Sequence, residues 1–572
     1  MTTKIAFNQI DGMSVNVLDY GVDPTGATDN TAEWVLAEAA AAGKTLIVPK
    51  GTYLKNRTFP QSNTTYWFEP GVVVNGTTGG NNTWRVANVE NVHFYFNGAT
   101  INRDSSGTSA NFYFSEAVGC SINDGNFVSG GAAKDCIYIG GSAVGTISRN
   151  IVVRGGSCKG ALRNGISVVS ALDTLIEGVE IYDTVGSPGA GVDIEANSFD
   201  TCAGTTIRNC VIHDNLTNGI GCVFGEQADI YDNYIYNNGN SGVGTAAGGT
   251  QFNKISWGDG TDVARAKDFR GISGFATATG SISANAASVG NSNKLKVGDI
   301  VIFSTKNGAT IPVELQSQVR WTVTEISSAG NHDFKVGTAN EYGEVTSFSG
   351  AGTGTMNIDA DLSDVAVTCY SQEGQNSNFN IYNNVFRNNG GTGNPDISVS
   401  TGLNTSVYNN TIYSNLDKSL SVRFQYSVNV SAYNNIIYCD QASTAQTVGI
   451  SFGQCTNIKT DGNTIYEATG EGITVSGCSR ATLGRDKIVN CGRVSNRAYR
   501  LQNGSGAIVS PIIVQDSKNT PTNGIVLENT TSNCVVQNAN CKTAGSSNAN
   551  SILDSGTGNL VINSIVNDGT FR

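Results

Sequence analysis

The chain has little of several residues that mark particular chemistries: 3 His, 3 Met and 9 Pro in 572 residues. His93, His213 and His332 show no metal-ligand spacing, so no zinc centre is expected, although scattered Asp leave a calcium site open. Charged residues make up 14%, and 47 acidic against 35 basic side chains give a net charge of -12. The clustered Lys and Arg that grip a phosphate backbone are missing, which excludes nucleic acid as a partner. No apolar run is long enough to cross a bilayer, so no membrane insertion is expected. There is no CxxC pair, and the 13 Cys are odd in number. A disulfide framework is therefore not expected, and buried free thiols fit folding in a reducing cytoplasm. The first residues lack the apolar core of a signal peptide. No GxSxG motif or phosphate-binding loop occurs, and no cofactor is expected.

What is abundant is Gly, at 69 residues, within a composition that is 39% hydrophobic. That is too apolar for a disordered chain. The strongest pattern is internal repetition. Arg208-Asn209-Cys210-Val211-Ile212 is followed by Asp232-Asn233-Tyr234-Ile235-Tyr236, Asn383-Asn384-Val385-Phe386, Asn409-Asn410-Thr411-Ile412-Tyr413, Asn434-Asn435-Ile436-Ile437-Tyr438 and Gly462-Asn463-Thr464-Ile465-Tyr466. A second strand opens on Gly in Gly165-Ile166-Ser167-Val168, Gly191-Val192-Asp193-Ile194, Gly219-Ile220-Gly221-Cys222, Gly449-Ile450-Ser451-Phe452, Gly472-Ile473-Thr474-Val475 and Gly524-Ile525-Val526-Leu527. Two or three short strands per coil, with Gly and Asn at corners, predict an all-β fold, a parallel β-helix. Alternate apolar residues point inward, Gly turns the corners, and Asn bonds the neighbouring coil. His213-Asp214 falls at a coil end and reads as structural.

The expected organisation is an N-terminal capping segment over 1–55, a first β-helical part over 56–250, an inserted small β-rich domain over 251–376, and a second β-helical part over 377–572. The insertion shows strand alternation, as in Lys294-Leu295-Lys296-Val297 and Trp321-Thr322-Val323-Thr324, without the coil spacing.

Ahead of the repeats stands Val17-Leu18-Asp19-Tyr20-Gly21-Val22-Asp23-Pro24-Thr25-Gly26-Ala27-Thr28-Asp29-Asn30-Thr31. A helix follows, with Asn30 and Glu33 spaced as a capping pair. Then comes Leu46-Ile47-Val48-Pro49-Lys50-Gly51-Thr52-Tyr53. This order resembles the pectate-lyase-like superfamily and, within it, the phage tailspike depolymerases, whose opening pattern is a DYGA-DG-TDDT segment, a helix and a VPxGxY strand. Asn30 stands where the second Asp of that pair belongs. The resemblance implies a right-handed β-helix capped by a helix at its open end, and a homotrimer. It also implies a virion protein made in the host cytoplasm, attached to a phage tail or baseplate protein and acting at the bacterial cell surface. The family's usual particle-attachment domain is not recognised ahead of this segment.

The chemistry is sought in the second strands. Two residues after the corner Gly the column reads Ser167, Asp193, Gly221, Ser451 and Thr474; four after, it reads Val169, Glu195, Val223, Gly453 and Ser476. Asp193 and Glu195 stand out. They share one strand face, with Cβ atoms about 7 Å apart. Paired carboxylates are what glycoside hydrolysis needs, and like charges push one pKa up. Glu226, just past the next coil's strand, is a third catalytic candidate. Trp257 can stack on a sugar ring, and Arg423, expected in the Glu195 column, can hold a carboxylate-bearing sugar. The leading expectation is endo-hydrolysis of a bacterial surface polysaccharide (capsule, exopolysaccharide or O-antigen). The alternatives are a lyase or epimerase on uronates, drawing on Arg423 and Lys159, and an adhesin that binds glycans without cutting them.

Overall fold

In a computed structural model, the structure describes residues 14–246 and 377–564 apart from 78–81, 104–108, 131–133, 142–145, 196–201, 224, 391–393, 401, 415–419, 426, 440–446, 511, 517–522, 544–549 and 563, together with the backbone of seven strands between residues 272 and 370. Trp257 and His332 lie outside the described residues. The chain divides into two compact units, one of Met1–Thr245 with Asn378–Arg572 and one of Ala246–Ser377.

The larger unit is a solenoid of parallel strands. A representative coil contributes Ser406–Tyr408, Thr411–Tyr413 and Leu420–Gln425. Every third strand joins a 14-stranded sheet, and the other two join a long sheet of 31 strands. Register is kept from coil to coil: Val407 pairs with Ala432, Ile412 with Ile437, and Val422 with Ile450. Each of these is buried and points into the tube. The inward column thus stacks like on like, which is where the core lies. The smaller unit is a seven-stranded sheet, antiparallel in the pairings described, quite unlike the coils.

Corners are made in two ways. Asn383, Asn409 and Asn434 adopt left-handed φ of 52 to 55°, a conformation Asn tolerates better than other side chains. The Gly residues that open the 14-stranded sheet serve another need. A Cβ on Gly191 would meet the Gly219 carbonyl oxygen at 2.6 Å, and one on Gly219 would meet that of Gly242 at 2.7 Å. They are there for close approach of successive coils, not for positive φ.

The next residue in each Asn-Asn pair forms a buried ladder. Asn384, Asn410, Asn435 and Asn463 each donate Nδ2 to the following coil's Oδ1, ending on Asp486, at 2.8–3.1 Å. Asn209 is not in this series. It occupies the left-handed corner slot at φ 53°, and Cys210 takes the ladder position, its N–H donating to Asn233 Oδ1 at 2.9 Å. Asn435 also donates to Val407 O at 2.9 Å and accepts from Asn410 N–H at 3.1 Å. Asn435→Ala leaves these buried partners unsatisfied, so a loss of about 3 kcal/mol is expected, measured as a lower urea midpoint. An unchanged midpoint would contradict this account of the ladder.

The helix runs over Thr31–Ala40 and packs Trp34, Ala37 and Glu38 inward. The expected capping pair does not form. Asn30 sits at the helix start with no side-chain cap bond. Its amide is used instead in a reciprocal pair with Asp23, accepting from Asp23 N–H at 2.8 Å and donating to Asp23 O at 3.0 Å. Asp29 Oδ1 accepts the Thr31 N–H at 3.0 Å. The left-over Asn therefore pins the opening loop to the helix.

Candidate active site

Strand Val192–Glu195 carries the carboxylate pair. Val192 and Ile194 fill the tube, so Asp193 and Glu195 project outward. Asp193 nevertheless retains only 7% of its surface, whereas Glu195 is half-buried. The reason lies in the neighbouring coil, at the corner before its paired strand Ile166–Val169. Asn164 Nδ2 reaches over to donate to Asp193 Oδ2 at 2.9 Å and to Ser167 Oγ at 3.1 Å. Its Oδ1 accepts the Ala190 N–H at 3.0 Å, and its own N–H donates to Asp135 Oδ1 at 3.1 Å. Arg163 lies 3.8 Å from Asp135. Asn164 is thus fixed on three sides and holds one oxygen of Asp193 in place.

Burial, then the Glu195 charge, push the Asp193 carboxyl up to about 7, against the opposing pull of Arg163 and the Asn164 bond. Burial also raises Asp135, which Arg163 partly offsets. Asp193 therefore holds its proton close to neutral pH beside a second carboxylate. That arrangement suits a proton donor. Beyond Asp193 the wall is low: Gly221 pairs with Asp193, and a Cβ there would come within 3.4 Å of Asp193 Oδ1.

Asp135, Arg163 and Asn164 were not singled out from sequence. The signal existed: Asp135 and Asn164 stand in equivalent corner slots, since Ile137 pairs with Ile166.

The other candidates are placed as follows. Glu226 lies past the corner, its backbone bridged to Ala203 in the run that opens the long sheet, with its N–H on Cys202 O at 2.9 Å. Arg423 is in the Asp193 column, not the Glu195 column as expected. It pairs with Ser398 on one side and Ser451 on the other, and Gln425 holds the slot equivalent to Glu195. The shift arises because Ser421, not Gly, opens that strand, so the corner marker is missing from the sequence. Lys159 lies on the long sheet, 3.7 Å from Asp183 and over the Tyr182 ring. The two cations of the lyase reading are thus on different sheets. His213 is stacked between Tyr182 and Tyr236, with ring centroids at 5.0 and 4.6 Å, and bonds Asp214 at 2.7 Å.

Residues 70–256 match the family described as right handed beta helix region. The solenoid is a right-handed β-helix. The β-helix is similar to the tailspike protein of E. coli bacteriophage HK620 in complex with pentasaccharide, at 11% identity over 96% of this chain and 78% of that one, with a TM-score of 0.48. It is similar to PfbA, a surface adhesin of Streptococcus pneumoniae, at 11% identity over 81% and 93%, TM-score 0.43. It is also similar to the catalytic unit of a thermostable alpha-1,3-glucanase from Streptomyces thermodiastaticus, at 14% identity over 97% and 69%, TM-score 0.39. No curated protein sequence matches the chain.

Proposed function

We propose that this β-helix is a tailspike-like depolymerase that binds and endo-hydrolyses a bacterial surface polysaccharide (capsule, exopolysaccharide or O-antigen). The observation that carries the reading is the buried Asp193 carboxyl, held by Asn164 next to Glu195 on an outward sheet face. Asp193 donates its proton to the leaving glycosidic oxygen. That bond breaks, and water, activated by Glu195 or following a glycosyl–Glu195 ester, adds to the anomeric carbon. Hydrolysis is favoured over elimination because Lys159 and Arg423 lie on different sheets.

The opening motif supports placing the protein on a phage tail, where a homotrimer needs an apolar contact face. The long sheet has one: Tyr234, Val385 and Ile436 are exposed in one column, beside Tyr413 and Tyr438.

The test is mass spectrometry of surface polysaccharides from a panel of bacteria after incubation with the protein. Oligosaccharides heavier by one water per cut are expected; unsaturated ends would replace hydrolysis by a lyase. Because Asp193 must keep its proton, kcat/KM should fall as pH rises through about 7. A profile flat to pH 9 would remove Asp193 from the acid's role.

A further inference from the structure

We propose that the polysaccharide is an anionic chain lying along the solenoid axis, with its acidic groups held by Arg85 on one side of Asp193 and Arg423 on the other. The inference rests on the site proposed above and names the class of its substrate.

The pairing register sets both arginines in one outward column. Arg85 pairs with Tyr113, Tyr113 with Tyr138, Tyr138 with Ser167, and Ser167 with Asp193. On the other side the column runs from Asp193 to Gly221, through the neighbouring strand's Gly244 to Ser398 and then Arg423. Each arginine stands four strands from Asp193, or about 19 Å at the spacing of neighbouring strands. The pair spans about 38 Å. No single sugar reaches both, so the ligand is a chain.

The two guanidiniums share a second property. Nε of Arg85 and Nε of Arg423 are both buried without a hydrogen-bond partner. Arg423 Nη2 donates to Ser398 Oγ at 2.9 Å, a neutral acceptor. Arg85 lies over the Tyr113 ring at 5.1 Å. Among the described residues neither has a carboxylate within ion-pair distance. Several other arginines of this acidic chain do: Arg154 and Arg208 pair with Glu177, Arg485 with Asp461, and Arg497 and Arg500 with Glu528.

A half-buried guanidinium without a counter-charge needs an anion, and its planar fork suits carboxylate, phosphate or sulfate. At the Arg85 end the case is stronger. Arg57 lies near enough for the Arg85 charge, after burial itself, to depress its pKa. Arg57 also caps the ring of Phe59, which is 49% exposed. Two cations set among Phe59, Tyr113 and the Tyr138 stacked on it at 4.5 Å offer charge and flat apolar surface together. Between Asp193 and Arg423 the column holds the small residues Gly221, Gly244 and Ser398, and the Asn218 amide lies against the two glycines, 3.2 Å from where a Cβ on Gly244 would stand.

The test uses the full chain carrying Asp193→Asn, so that bound glycan is not cut. Affinity electrophoresis against the same bacterial polysaccharides, sorted into acidic and neutral, reads the dissociation constant. Retardation by acidic members alone is expected, weakening as salt rises. Arg85→Gln and Arg423→Gln should each weaken it roughly tenfold, and Arg→Lys at either site should restore part of the loss. Arg154→Gln, on the long sheet, should change nothing. Circular dichroism melts check that each variant folds; the Lys variants serve where a Gln variant does not. Carboxylated, phosphorylated and sulfated members of the panel separate the possible sources of the anion. Retardation by neutral glycans that is untouched in both Gln variants would overturn the inference, as would no retardation by any acidic glycan. Neutral-glycan cleavage lost with Asp193→Asn would leave the hydrolase standing and this inference fallen. Arginine-dependent binding of acidic glycans without any cleavage by the unmodified chain would do the reverse.

Discussion

Asp193→Asn is expected to abolish polysaccharide cleavage and, at the same time, to make the protein more stable at pH 8. The two effects share one cause. Burial beside Glu195 raises the carboxyl from 3.8 to about 7. The folded state therefore binds a proton more tightly than the unfolded chain does. Linkage fixes the sign: stability from this group is fully present below pH 3.8 and is lost as pH rises through about 7. At pH 8 the ionised, buried Asp193 costs the fold on the order of 4 kcal/mol, an upper figure because relaxation and water reduce it. An Asn side chain has nearly the same shape, still accepts the Asn164 Nδ2 bond and carries no charge. Urea midpoints should show the variant gaining on the parent between pH 5 and pH 8, and cleavage should drop by 10² to 10⁴, roughly the worth of a positioned acid. A variant that loses activity without that pH-dependent gain would mean Asp193 is ionised and solvated in the fold. A variant that keeps cutting would place the acid elsewhere.

The second large effect belongs to the helix that closes the solenoid. Lys55 is fully buried and donates Nζ to Thr58 Oγ1 at 2.8 Å and to Thr83 O at 3.0 Å, lying 3.9 Å from the Trp84 ring centroid. Glu38, from the helix, accepts from Thr58 Oγ1 at 2.8 Å and Trp84 Nε1 at 3.1 Å. Burial lowers the lysine to about 7 and raises the glutamate, each opposed by the charge of the other. Lys55→Met removes the compensation and strands a carboxylate among aromatic rings. A loss of about 3–5 kcal/mol is expected. Since Glu38 then prefers its proton in the folded state, the loss should be smaller at pH 5 than at pH 8. Lys55→Met with Glu38→Leu should recover most of it. Equal losses in the single and double variants would show that packing, not charge, is what Lys55 supplies.

The solenoid was legible in the sequence because each coil repeats the same physical problem. Inward Ile and Val alternate, left-handed corners draw Asn, and a buried slot that must bond both neighbours again draws Asn. The carboxylate pair was legible for the opposite reason: among the strands that open on Gly, Asp193 and Glu195 interrupt positions otherwise small or neutral. What escaped depends on contacts between coils. Asn164 and Asp135 look like ordinary corner residues until pairing places them beside Asp193. Arg423 was assigned one slot away because Ser421 replaces the Gly that marks other strands, and only the pairing of Val422 with Ile450 restores the register. Asn30 fitted a capping pattern, but a loop 7 residues back competes for the same amide.

Within the larger unit the Asn ladder continues without a break past the point in the sequence where the insertion falls. Asn233 donates to Asn384 at 3.0 Å although 151 residues separate them, against 25 or 26 for the next two rungs. That rung has a kinetic meaning. Closing so long a loop costs about 2 kcal/mol more than closing an ordinary coil, so the growing stack adds every other turn more readily than this one. During synthesis the coil that holds Asn233 waits roughly ten to thirty seconds for its neighbour to leave the ribosome. Through that interval the newest coil presents an open parallel edge, the kind of surface that recruits another chain. The seam between these two coils is therefore where folding is expected to fail first when translation slows or expression rises, read as a fall in soluble yield.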